Sequence, residues 1–245
     1  MAAAFLLTAL AQQGVYWGLG GASPAAQAAG LLAGLLCALL ASGAFAAGGG
    51  GFFDAWQRAG GVALAHLPLL ILMASRDQLS LAGACRLFLL WSALGACVAA
   101  LVSAFVDPRR RMAAGLAVSV LLVACCATPY WANGLVLSFP SPARDKLASA
   151  AIDLNPVFTT LAQLQGRGGF AWSKAPIFYA NSALGQDVPM PQARWAMTFA
   201  IYLSVAAVLA GASLAIQRRN RDWGPPKNLR RGAEGTGKTQ RTQEA

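Results

Sequence analysis

The chain has 245 residues, of which 57% are apolar and 11% charged, with a mean hydropathy of +0.52 and a net charge of +10. That is too little polar surface to cover a soluble globule of this length, and the composition specifies an all-α integral membrane protein. The positive charge does not point to nucleic acid: most basic residues cluster at Arg109 to Arg111 and from Arg218 to Arg241, with Arg58 in a predicted inner loop. Positive-inside topology produces this distribution, and the aromatic interleaving on which single strands stack is missing.

Residues 2–19 read as a weak first helix carrying Gln12 and Gln13 at mid-depth, with neither the basic start nor the cleavage site of a signal peptide. A second helix is expected over residues 25–47, where Gly30 and Gly34 form a G-x-x-x-G spacing that reads as packing. The run Gly48 to Gly51 breaks it. Phe52, Phe53, Asp54, Trp56 and Arg58 then form a short amphipathic piece in the second inner loop. Its rings suit the headgroup layer, and Asp54 and Arg58, four apart, can pair in a helix. The third helix, about residues 59–75, holds His66, read as a hydrogen-bonded packing residue in preference to a metal or proton site, and Pro68, which kinks it.

Arg76, Asp77 and Gln78 make an outer turn before a fourth helix over about residues 79–105. Arg86, one turn inside, is expected to snorkel outward or pair with Asp77, with a place on a substrate path as the alternative. Asp107-Pro108-Arg109-Arg110-Arg111 stands between two uncharged apolar runs, so this basic turn must lie in water and sets the orientation of its neighbours with the turn inside. A fifth helix follows over about residues 112–131, ending on Tyr130 and Trp131 at the outer interface.

Residues 132–194 contain no apolar run long enough to span a bilayer. Within them, residues 147–165 carry apolar side chains at helical spacing around Asn155-Pro156, which predicts one or two short helices lying on the outer face as a lid. A sixth helix is expected over residues 195–216, so that residues 1–217 form a polytopic transmembrane domain of about six helices. The basic tail, residues 218–245, reads as a disordered cytoplasmic extension.

Five cysteines, Cys37, Cys85, Cys97, Cys125 and Cys126, fall in apolar stretches without a C-x-x-C pair or Cys/His cluster. They are expected as small core residues, with neither a zinc site nor a disulfide framework. Gly232 to Thr239 spells G-x-x-x-x-G-K-T, but no strand delivers it and six residues follow it, so no nucleotide site is expected. With one histidine, no Glu in the apolar part and carboxylates scattered among loops, no catalytic constellation forms, and the chain is not expected to be an enzyme.

Six helices with both ends inside and one large outer segment between the fifth and sixth resemble the type-2 (ABC-2) permease subunits of ABC transporters. The likeness covers about residues 60–220, through Leu67-Pro68, Ser80-Leu81, Gly95 to Ser103, Asp107 to Arg111, Pro129, Leu154-Asn155-Pro156, Trp195 and the closing Arg218-Arg219. The resemblance implies a multi-pass permease in lipid of the cell (inner) membrane, with N- and C-termini cytoplasmic. Such a permease binds no cofactor directly: ATP sits on a separate ATP-binding cassette subunit, and a second permease chain, identical or different, completes the pair. Export of a lipid, polymer, peptide or drug would follow from the ATP-driven bias between two states. One departure matters, because such permeases carry a Glu-containing coupling helix in the second inner loop. Here only Phe52, Phe53, Asp54, Trp56 and Arg58 occupy that place as the expected coupling loop. The reading from a different class is a non-transporting membrane scaffold or assembly factor whose outer segment binds a partner.

Overall fold

The computed structural model describes residues 2–21, 23–48, 50–105, 107–128, 134–135, 138–164 and 194–222. Among them all regular structure is helical: α1 (Ala2–Gly18), α2 (Pro24–Ala47), α3 (Phe52–Ala65), α4 (Leu67–Ser75), α5 (Leu81–Ser103), α6 (Pro108–Cys126), α7 (Ser141–Leu154), α8 (Pro156–Ala162) and α9 (Trp195–Asp222). Tyr130, Trp131, residues 165–193 of the expected outer segment, the tail beyond 222 and the G-K-T stretch lie outside the described residues.

Helix starts follow from side chains that satisfy the free N–H groups of a first turn. Ser23 accepts from Ala26 N–H at 3.1 Å, Ser80 from Gly83 N–H at 2.9 Å, Asp107 from Arg109 N–H at 3.0 Å and Asn155 from Val157 N–H at 2.9 Å. α1 stops at Gly20, whose φ of +89° is open to glycine, with Gly20 N–H bonded to Trp17 O and Gly21 N–H to Tyr16 O. The kink expected at Pro68 is a break: α3 ends at His66, and Pro68 sits in the first turn of α4.

Four stretches are long and apolar enough to cross a membrane: Ala26–Ala47, Phe52–Ser75, Leu81–Ser103 and Trp195–Arg219. The protein is therefore a helical membrane protein with at least these candidate spans. α1, at 17 residues, is shorter than the four, and α6 spends its first turn on three arginines. Both still pack in the bundle. α5 is its centre, with 61% of its span buried against 11% for α9 at the periphery. Around α5, Leu31 and Leu35 of α2, Leu69, Leu70 and Met73 of α4, and Phe158 and Leu161 of α8 close the main core on Leu87, Leu90 and Trp91. α2 and α6 touch backbone to backbone where Gly43 meets Gly115, and Ser119 Oγ donates to Leu39 O at 2.8 Å beside that contact. A side chain at either glycine would fill the crossing, which is how small residues admit close helix approach.

Several expectations need correction. Residues 52–58 are not a separate interfacial piece but the first turns of α3, because Gly51 is the last non-helical residue before an uninterrupted helical run. Arg109 to Arg111 are likewise the opening turn of α6, started by Asp107 and Pro108, whose fixed φ suits a first helical position. α9 continues through the supposed start of the tail to Asp222, since Arg218 and Arg219 complement the partial negative charge of a helix C-terminus. α8 does not lie on a face: Pro156, Phe158, Thr159, Thr160 and Leu161 are all buried. Of the cysteines, Cys97 and Cys126 are buried, whereas Cys85 and Cys125 face outward, as small apolar residues can where lipid is the solvent. The packing read for Gly30 and Gly34 is against α1: a Cβ on Gly34 would sit 2.1 Å from Gln12 Nε2.

Candidate functional sites

The chain's short connections gather at two opposite ends. At one end the α2–α3 and α5–α6 junctions meet. Asp54 accepts from Gly50 N–H at 2.7 Å and from Arg58 Nε at 3.1 Å, the i,i+4 pair expected from the sequence. Arg111 donates from one Nη to Gly50 O at 3.2 Å and from Nε to Phe105 O, so one guanidinium ties the two junctions together. Asp107 caps α6 and lies 3.7 Å from Arg110 Nε. The end of α9 joins the same region: Gln217 Nε2 donates to Ser103 O at 2.7 Å, and Ser103 and Ser213 hydroxyls bond at 2.7 Å.

Phe53 and Trp56 project from this end, 64% and 46% exposed, while Phe52 is half-buried with its ring edge-on to Phe53 at 5.4 Å. Arg109 and Arg110 are exposed beside them, as are Arg218 and Arg219. The expected coupling residues and the basic turn, distant in sequence, thus form one continuous face. It carries two exposed aromatic side chains and several exposed guanidinium groups, with Asp54 and Asp107 engaged in pairing and capping.

At the opposite end Tyr16 Oη donates to Gln78 Oε1 at 2.6 Å, Gln78 Nε2 donates to Gly21 O at 3.3 Å, and Arg76 lies 4.4 Å over the Trp17 ring. Arg86 is exposed, with its guanidinium 5.7 Å from the Trp195 ring, and its backbone carbonyl accepts from Trp195 Nε1 at 2.9 Å. The ring that Arg86 meets is therefore that of the first residue of α9, a cation–π contact. Buried Asp153 accepts from Arg194 N–H at 3.3 Å, and Tyr202 Oη donates to Leu154 O at 2.8 Å.

Between the ends lies the imidazole of His66, fully buried. Its Nδ1 is 2.7 Å from Gln12 Oε1, and its ring meets Trp91 edge-to-face at 5.1 Å. Trp91 Nε1 in turn points to Thr160 Oγ1 of α8 at 3.5 Å, and the neighbouring Thr159 hydroxyl bonds Thr198 of α9 at 3.0 Å. The hydrogen bond expected of His66 as a packing residue is present. Thr159, Thr160 and Thr198 were missed in the sequence, where the one available signal was a Thr-Thr pair inside an otherwise apolar turn. Among the described residues no group of three His, Cys, Asp or Glu side chains could hold a metal ion.

Apolar spans, a buried polar interior and charged groups confined to the two ends define a helical membrane protein. Compared with family models, curated proteins and solved structures, the chain matches none.

Proposed function

We propose that the chain is the membrane-embedded permease subunit of an ABC exporter, working as a pair of permease chains and driven by a separate ATP-binding cassette subunit. The observation that carries this reading is the bond from Arg111 to Gly50 O, which joins the α2–α3 and α5–α6 junctions into one face. A permease must receive motion through an element stiff enough to pass it on, and here the Asp54–Arg58 ion pair, the Asp107 cap, the Gly50 N–H bond to Asp54 and the Arg111 bridge brace the starts of α3 and α6. α3 and α6 both run from that face into the bundle, α3 against α5 and α6 against α2. Displacement of the face therefore reaches the core directly.

Positive-inside topology orients the molecule. The short connections at this end carry Arg58 and Arg109 to Arg111, and at the other end the turns at 19–23 and 76–80 carry Arg76 alone. The braced face is then cytoplasmic, as are both termini, and α1 and α6 complete six crossings. α7 and α8 belong to the outer side, with α8 inserted between α2 and α9 as a stopper in place of the lid expected from the sequence.

Trp56→Ala tests the docking role. Loss of a central aromatic anchor costs about 2 kcal/mol, or roughly 30-fold in affinity, so the variant should insert normally yet lose co-purification with a co-expressed ATP-binding cassette subunit. Retention of that partner at wild-type stoichiometry, with its ATPase still stimulated, would make the aromatic pair a membrane anchor and move coupling to the Arg109 to Arg111 turn; a chain that binds and stimulates no ATP-binding cassette subunit at all would favour the scaffold reading.

A further inference from the structure

The chain contains one histidine, and it stands fully buried at the joint between α3 and α4. Its protonation pattern follows from its neighbour. Gln12 Nε2 donates to Gly30 O at 3.2 Å, which turns the amide oxygen toward His66 Nδ1, 2.7 Å away. A carbonyl oxygen only accepts, so Nδ1 carries the proton. The ring's hydrogen-bond and stacking neighbours, Gln12 and Trp91, are both uncharged and neither would hold an imidazolium in an apolar interior. A neutral imidazole has a single N–H, which leaves Nε2 as a bare lone pair. That nitrogen is buried and has no hydrogen-bond partner among the described residues.

The arrangement is built on several elements at once. Gly34 of α2 leaves the space that Gln12 fills, since a Cβ there would stand 2.1 Å from Gln12 Nε2 and 3.0 Å from the Trp91 ring. Helix α1 supplies Gln12, the α3–α4 joint supplies the imidazole, and α5 supplies Trp91. A buried lone pair without a donor forgoes a hydrogen bond, so any donor small enough to reach it is favoured there.

We propose that His66 Nε2 is an acceptor site in the bundle interior for a hydroxyl donor, either an internal water or the hydroxyl group of an entering amphiphile. The chemistry selects a neutral O–H. A metal ion would need further ligands, and among the described residues no cluster of three provides them. An ammonium would bring a charge that neither Gln12 nor Trp91 balances. Thr160 of α8, bonded to Trp91, places the site beneath α8, and a ligand entering from that end would pass it.

Because His66 is the only histidine, the full chain labelled with [15N]histidine and held in lipid nanodiscs reports this ring without assignment. The expected spectrum shows a protonated Nδ1 and an unprotonated Nε2, the reverse of the tautomer that predominates in free histidine. Gln12→Leu should abolish that preference. Magnetisation transfer from water to Nε2 identifies an internal water as the donor. A signal without water transfer that shifts on adding 1-octanol, and not on adding octane, identifies the hydroxyl of an amphiphile. A proton on Nε2, a Gln12→Leu spectrum identical to wild type, or an Nε2 indifferent to both water and 1-octanol would overturn the proposal.

Discussion

Replacing Gly115 by Ala puts the α2–α6 crossing to a quantitative test. The new Cβ would lie 2.4 Å from Gly43 O, 3.0 Å from its carbonyl carbon and 3.4 Å from its Cα. All three are backbone atoms, so no change of rotamer relieves the overlap and the two helices must separate. Separation also draws Ser119 Oγ away from Leu39 O, now 2.8 Å apart. Overpacking costs about 1–3 kcal/mol, and an interhelical hydrogen bond in a membrane protein is worth about 0.6 kcal/mol. Against these stands the intrinsic helix preference for Ala over Gly, about 0.8–1.0 kcal/mol. The net expectation is destabilisation by about 1–3 kcal/mol. Gly211→Ala in α9 is the control: its Cβ would meet no atom within 4 Å, so only the helix preference acts and the variant should be neutral or slightly more stable. Reversible unfolding of the purified chain in mixed micelles, titrated with SDS and followed by helical circular dichroism, measures both. If Gly115→Ala unfolds at the same point as Gly211→Ala, α2 and α6 do not cross at this pair.

Single-cysteine variants on a cysteine-free background should label from opposite sides, Arg110→Cys from the cytoplasm and Asp145→Cys from outside; labelling of position 110 from outside would reverse the orientation. Asn155→Ala removes both the cap of α8 and the bond from Asn155 Nδ2 to Cys126 O at 2.9 Å, so unfolding stability should fall by about 1–2 kcal/mol. A fall confined to a few tenths would mean that α8 is not fixed through its cap.

The places of the helices were legible because local chemistry sets them: apolar runs give the spans, and Pro68 interrupts one. The Asp54–Arg58 pair was legible for the same reason, as its spacing lies within one turn. What joins distant segments was not. Gln12 weakens α1 as a candidate span when read alone, yet it is fully engaged by a histidine 54 residues away. Arg86, read as snorkelling outward or pairing with Asp77, meets an aromatic ring 109 residues on. The two outward cysteines follow from the solvent: with lipid outside and packed side chains inside, both sides of a span are apolar and periodicity loses its power to tell them apart. The burial of α8 was hidden because Thr159 and Thr160 read as residues facing water until partners across the bundle satisfy them.

On the six crossings proposed above, of which α6 is one, the pairing of α2 with α6 sets a hydrophobic mismatch within one molecule. α2, with 24 residues and no charge, is about 36 Å long at 1.5 Å per residue, whereas the uncharged part of α6, residues 112–126, reaches only about 22 Å. Ordinary hydrocarbon is about 30 Å thick. Held side by side at Gly43 and Gly115, the two helices ask for different membranes: α2 is relieved by tilting, and α6 by drawing the headgroups inward around Arg109 to Arg111. The bilayer bordering α6 is therefore pinched, and the protein should gain stability in lipids of shorter acyl chain, an effect that unfolding in a chain-length series of nanodiscs would register.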